Sequence, residues 1–417
     1  MNLQFTRFTL SNGLELIVKE NHFAQSVVVR GYIPGGANLD TANQAGRASF
    51  AAQAMRRGAG RRTFAEINEA VEAVGASVYV NAGRHTVGFG GKSLAEDFSL
   101  LVEILSDILQ APTFPPAEIE KLRGQIITSL QEDEDDTRSV AQRLFRELLY
   151  GPDHPYGRPV DGTLTTVPRL TRDDLLTFYR RLHPHGGAVV VVGDIQPQAV
   201  YEALEQTLAG WRPDQPPPAD DLPPVSPPAT AVRQVRAMPQ KSQADLVLGW
   251  IGPSRQADDY YAALVADTIL GHLGLGGRIG RTVRDEHGMA YYARSALYGG
   301  PGPGPWFVYA GVNPAGLDRA VELILEETRR FRESPVTGQE LEDAQSFLTG
   351  VLPLQMESNE GVASTLLDMH LYNLGDDFIT RYPALIRGVT VDDVQAVAQK
   401  YLSEEWYALS IAGPVNS

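Results

Sequence analysis

Between residues 95 and 110, Phe98, Leu101, Val102, Leu105 and Leu109 recur at three- and four-residue intervals. That spacing places them on one face of a helix, and a second helix is expected after Pro115-Pro116. The arrangement returns in the second half. Ala320, Val321, Leu323, Ile324 and Thr328 stripe residues 317–331, and Gly338-Gln339-Glu340 opens the next helix. Short alternating or continuous apolar runs at 5–10, 14–19, 27–33 and 245–250 read as strands. Asn12-Gly13 between the first two is a tight-hairpin signal, because both residues tolerate positive φ.

The two halves also share their punctuation. Thr171-Arg172-Asp173-Asp174 precedes the strand Ala188-Val189-Val190-Val191-Val192-Gly193, and Thr390-Val391-Asp392-Asp393 precedes Ala408-Leu409-Ser410-Ile411-Ala412-Gly413. In each, the threonine hydroxyl can cap free N–H groups, and the aspartates suit the positive end of a helix. A T-x-D-D start is common alone. Two copies followed by the same strand point to duplication. Eight of the sixteen residues from Pro213 to Pro228 are proline, a semi-rigid spacer. The expected organisation is therefore a domain over 1–212, a linker over 213–228 and a second domain over 229–417, α+β twice over.

Composition narrows the function classes. With 43% hydrophobic and 21% charged residues and no apolar run near membrane-spanning length, the chain reads as soluble and globular. Its N-terminus lacks the basic head and apolar stretch of a secretory signal, which makes the cytoplasm the expected location. The absence of cysteine excludes disulfides, thiol catalysis and thiolate metal sites. A net charge of -15, with no dense Lys/Arg cluster interleaved with aromatics, argues against nucleic acid as a partner.

Several landmarks together carry a resemblance. They are Leu10-Ser11-Asn12-Gly13-Leu14, the stretch from Gly46 to Met55, Gly75-Ala76 with Asn81-Ala82, His154-Pro155-Tyr156-Gly157-Arg158 and Val191-Val192-Gly193-Asp194, with Arg284 to Tyr291 in the second half. In this order they resemble the M16 zinc peptidases, the family of pitrilysin and mitochondrial processing peptidase, over almost the whole chain. The resemblance implies two homologous domains, each a mostly antiparallel sheet packed with helices, forming half of a clamshell.

Active members read G-x-A-H-F-x-E-H at the second landmark. Two histidines four apart bind zinc, and the glutamate between them deprotonates the attacking water. This chain has Ser49, Ala52 and Gln53 there. The family's third ligand, a glutamate, falls at Thr128-Ser129-Leu130. No metal site is expected in this chain: Ser49, Gln53 and Ser129 stand at ligand positions and Ala52 at that of the base. No relocated site is visible either. Of the eight histidines only His183 and His185 lie close in sequence, and they read as a solvated loop. His154 reads as a structural hydrogen-bonding residue.

What survives is Arg284-Asp285-Glu286-His287-Gly288-Met289-Ala290-Tyr291. The family's second domain supplies an arginine and, seven residues later, a tyrosine to the zinc-bound substrate, where both donors can stabilise an oxyanion. An arbitrary R-x6-Y is a surface helix and half-buried strand, but the family frame favours Arg284 and Tyr291 as catalytic in trans. In some bacterial pairs of the family one chain carries the zinc motif and the other this pair. Gly274, Gly276 and Gly277 lie where the processing peptidase's non-catalytic subunit has a glycine-rich substrate loop; a plain turn is the alternative. The run Glu132 to Asp136 reads as solvated charge at a helix end. The resemblance thus implies a non-catalytic subunit of a heterodimeric zinc peptidase, whose paralogous H-x-x-E-H partner brings the zinc and whose substrate is a peptide or unfolded polypeptide. The rivals are a scaffold without proteolysis, like the core subunits of the respiratory bc1 complex, and a homodimeric peptide-binding protein.

Overall fold

The computed structural model describes residues 4–213 and 222–415, so most of the proline-rich spacer, 214–221, lies outside the described residues. Two sheets dominate. The first has six strands in the order Thr6–Thr9, Glu15–Glu20, Ala188–Gly193, Ser26–Pro34, Thr86–Leu94, Ser77–Ala82. All pairings are antiparallel except Glu15–Glu20 with Ala188–Gly193. The second has five, Val232–Ala237, Ala408–Gly413, Ala244–Ile251, Pro305–Val312, Ala290–Leu297, and its single parallel pair is again the one containing the last strand in sequence. Starting from the parallel pair, strand order and direction in the two sheets are identical. The inferred duplication is thus present as topology.

The helices follow the same plan. The apolar stripe of Phe98–Gln110 buries Phe98, Leu101, Val102, Leu105 and Leu109, and that of Leu317–Glu333 buries Leu317, Ala320, Leu323, Ile324 and Phe331. Each of these side chains except that of Ala320 contributes about 1.5–3 kcal/mol of burial. Residues 95–97 form a 3-10 turn that leads into the first of these helices. Both threonine starts close full capping boxes: Thr171 and Asp174 open Arg172–Tyr179, and Thr390 and Asp393 open Val391–Tyr401. The hairpin near Asn12 uses positive φ at Gly13 alone. Asn12 instead turns its side chain inward, accepting from Leu14 N and donating to Leu208 O at 2.9–3.0 Å.

Compactness divides the chain differently from the linker. One unit comprises Met1–Gln131, Pro159–Leu222 and Leu354–Ile379; the other comprises Glu132–Arg158, Pro223–Pro353 and Thr380–Ser417. Each half of the sequence therefore lends a helix to the other unit. Thr137–Tyr150 packs on the strands Ala244–Ile251 and Ala408–Gly413, where Ser410 Oγ donates to Ala141 O at 2.6 Å. Asn359–Leu371 packs on Ser26–Pro34 and Ala188–Gly193. There Asn359 bonds Asn21 at 2.6 Å and Ser26 O at 3.1 Å. The sheet faces beneath are Val-rich and buried, so an unfilled face would expose them to water. Among the described residues no helix is long and apolar enough to cross a membrane.

Candidate functional site

The helix Arg47–Met55 begins at Gly46, whose φ of 94° favours glycine. A Cβ there would lie 2.8 Å from Asp161 O and Gly162 Cα, so glycine lets the 161–162 loop approach the helix. Asp40 and Arg47, both buried, brace the start through an ion pair at 3.1 Å, and an Asp40 oxygen accepts from Ala48 N.

The close approach puts Asp161 beside Ser49. The Ser49 hydroxyl donates to Asp161 Oδ1 at 2.7 Å and accepts from Gln53 Nε2 at 3.1 Å. Ala52 is wholly buried and holds no titratable group. Ser129 is exposed on Pro116–Asp135, and the Arg123 guanidinium of that helix lies over the Phe50 ring at 5.2 Å. Zinc requires deprotonated thiolate, imidazole or carboxylate ligands converging on a point. A spent hydroxyl, a neutral amide and a methyl do not fit it. Among the described residues no group of three or more His, Cys, Asp or Glu could hold a metal ion.

Arg284 and Tyr291 occupy two local irregularities. Arg284 lies in a π-helical turn, Arg281–Glu286, a geometry often found at functional positions. Its Nε donates to Asp285 Oδ1 at 2.8 Å, which holds the guanidinium firmly charged. Nη2 is buried without a hydrogen-bond partner. Tyr291 sits in the β-bulge of the edge strand Ala290–Leu297, where the register slips between Ala290 and Tyr292. A bulge re-aims the inserted side chain. Tyr291 is 70% exposed, and its hydroxyl makes no hydrogen bond among the described residues. The turn between them is held by Gly288 N to Arg284 O and Met289 N to Val283 O, at 3.0 and 2.9 Å.

A buried carboxylate anchors the bulge. Asp245, 2% exposed, accepts from the Tyr292 hydroxyl, from Thr137 Oγ1 and, at 3.1 Å, from Gln243 Nε2. Burial and then the Asp245 bond push the Tyr292 phenol well above its ordinary pKa. Arg138 lies over the Tyr292 and Tyr309 rings at 5.5 and 5.2 Å. Thr137 and Arg138 belong to the borrowed helix Thr137–Tyr150, so that helix helps fix the residue next to Tyr291. Sequence reasoning passed over Asp245, although a lone aspartate in the apolar run Ala244–Ile251 was a visible signal.

In the glycine-rich segment, Gly274, Gly276 and Gly277 all have positive φ. A Cβ at Gly276 would meet Ala293 O at 2.4 Å and one at Gly277 Ile269 O at 2.5 Å, while Gly274 faces open space. Two of the three glycines thus serve packing, and Gly274 with exposed Leu275 is the accessible tip. The segment is tethered at both ends. His272 Nε2 pairs at 3.2 Å with the buried Asp267, whose bond raises the imidazole pKa. Arg278 forks onto Glu340 with two 2.7 Å bonds, pulling that carboxyl down to about 2.

The remaining residues behave structurally. The His154 ring accepts from Tyr156 N at 3.0 Å and bonds Pro223 O at 3.2 Å. His183 Nδ1 accepts from His185 N at 3.0 Å. In the acidic run, Asp136 caps Thr137–Tyr150, Glu134 pairs with Arg143 at 2.6 Å, and Asp135 pairs with Lys241 at 2.8 Å.

The chain is similar to known proteins over both halves. A family model described as insulinase (peptidase family M16) matches residues 16–160, and one described as the peptidase M16 inactive domain matches residues 169–348. The chain is 26% identical to an uncharacterized zinc protease of Streptomyces coelicolor, across 98% of this chain and 90% of that protein. It is 27% identical to the beta subunit of the mitochondrial-processing peptidase of Lentinula edodes, with the same coverage of both chains. Its fold matches the crystal structure of a peptidase M16 inactive domain from Pseudomonas fluorescens at a TM-score of 0.91, with 22% identity over 100% of this chain and 99% of that one. A protease from Helicobacter pylori matches at 0.89, with 17% identity and 98% and 99% coverage.

Proposed function

Because the chain belongs to the M16 (insulinase) peptidase family, we propose that it is a zinc-less cytoplasmic subunit that completes the active site of a paralogous partner bearing H-x-x-E-H. The partner would supply the zinc and the base. This chain would supply Arg284 and Tyr291, and a peptide or unfolded polypeptide would be held between the two chains, with Gly274 and its neighbours touching it.

The observation that carries the reading is the contrast between the two sets of family positions. Ser49, Ala52 and Gln53 are closed into the fold's own hydrogen bonds and core. Tyr291 is presented bare to solvent on a bulge, and one Arg284 nitrogen lacks a partner. Donors fixed in place before reaction act on developing negative charge without reorganisation. Attack on an amide creates an oxyanion, to which the Tyr291 hydroxyl would donate a hydrogen bond while the positive potential of Arg284 lowers the oxyanion's energy.

The test uses the complex with the H-x-x-E-H paralogue from the same organism and a quenched peptide. Arg284→Ala and Tyr291→Phe are expected to depress kcat while the complex still assembles. Turnover equal to that of the unaltered complex would leave a scaffold as the surviving account.

A further inference from the structure

Past the helix Arg47–Met55 the chain forms a short ribbon, Gly58–Ala59 paired with Arg62–Thr63. A cavity of about 630 Å³ beside it is lined by Arg57, Arg61, Arg62 and Lys121, with Phe64 and Pro115 as an apolar wall. Its one lining carboxylate, Glu118, is shared by Lys121 at 2.6 Å and Arg57 at 3.9 Å. Arg62 is engaged by Glu103 and Asp107, each at 2.6 Å. Arg61 is exposed and makes no ion pair or hydrogen bond among the described residues. Arg57 lies over the Phe64 ring at 4.4 Å and donates to Gln125 at 2.6 Å, which fixes its planar fork. Burial lowers the pKa of Arg57 against the opposing Glu118 charge, and burial with the Arg57 charge lowers that of Arg56.

In a chain of net charge -15, this is a cationic pocket with an apolar wall. We infer that it binds an acidic peptide segment, with carboxylates on the Arg57 and Arg61 guanidinium groups and an apolar side chain against Phe64 and Pro115. Guanidinium forks suit carboxylates. The same forks suit phosphate, but the backbone N–H groups that commonly add to a phosphate cradle are spent. Here Gly60 N already donates to Ala111 O at 2.9 Å and Thr63 N to Glu66 Oε2 at 2.8 Å. The cavity is also far roomier than a single small anion requires.

The experiment titrates the full chain into a fluorescein-labelled peptide of mixed glutamate, alanine and leucine, alongside a lysine counterpart and inorganic phosphate as competitor. The glutamate peptide is expected to bind, more weakly as salt rises. Arg61→Glu, at an exposed residue that holds nothing, is expected to weaken it at least about tenfold, and Arg57→Gln likewise, with circular dichroism confirming the fold. Equal binding of the lysine peptide, complete displacement by phosphate at its own charge equivalence, or affinity unchanged in Arg61→Glu would each overturn the assignment.

Discussion

The two sheets share strand order and direction, so their corresponding helix-to-strand turns can be compared directly. In the first unit, Phe64–Ala73 ends with Ala76 N bonded to Val71 O and Gly75 at φ 63°, and the edge strand Ser77–Ala82 pairs with Thr86–Leu94 in unbroken register. In the second, Met289 N reaches back one residue further, to Val283 O, Gly288 holds φ 64°, and the edge strand is bulged. The second turn thus carries one extra residue in the helix and another in the strand, on either side of the segment from Arg284 to Tyr291. Departures from regular structure persist where a surrounding network fixes them and often serve a site. The unit with Ser49, Ala52 and Gln53 at the family's zinc-motif positions is regular at this turn; the unit with Arg284 and Tyr291 is irregular around them.

The largest effect should come from the network that holds the bulge. Asp245→Ala strands the buried Thr137 hydroxyl together with the half-buried Tyr292 hydroxyl and Gln243 amide, at about 2–3 kcal/mol. Thermal unfolding should show it, and an unshifted Tm would mean the bulge is not anchored there. Gly46→Ala forces a side chain into left-handed backbone and against Asp161, costing about 1–3 kcal/mol. A neutral outcome would mean the 161–162 loop can retreat and Ser49 is not closed off. Ser49→Ala removes only a bridging hydroxyl, for about 1 kcal/mol, and should leave turnover of the complex intact; lost turnover would restore a role to the first unit.

The smallest effect is on pH. The His272 pKa is raised by Asp267, so this pair contributes fully below the ordinary histidine value near ~6.5 and is lost as pH rises through the raised value. Hydrogen exchange at 273–277 should therefore quicken on passing from about pH 6 to about pH 8 more than intrinsic base catalysis requires. His272→Gln should remove that excess.

Much of this was legible in sequence because it is local. Helical stripes, two Thr-Asp capping boxes and the Ser49, Ala52 and Gln53 replacements each depend on residues a few positions apart. The exchanged helices were not legible. Thr137–Tyr150 has an ordinary amphipathic pattern and Asn359–Leu371 only a weak one, and which sheet receives either helix is decided by connection geometry rather than by the pattern. The π-turn and bulge also escaped, since a single inserted residue barely disturbs a periodic pattern. Asp245 stood in plain view in an apolar strand, but its partners, Thr137 and Tyr292, lie 108 and 47 residues away.

The proposed function requires that the irregular segment of the second unit act on substrate. It is tested most directly by the kcat of the Tyr291→Phe complex with its H-x-x-E-H paralogue, measured on the quenched peptide at saturating concentration. A loss of about a hundredfold or more with KM little changed is predicted, the size expected when one oxyanion donor is removed. Turnover indistinguishable from that of the unaltered complex would contradict it.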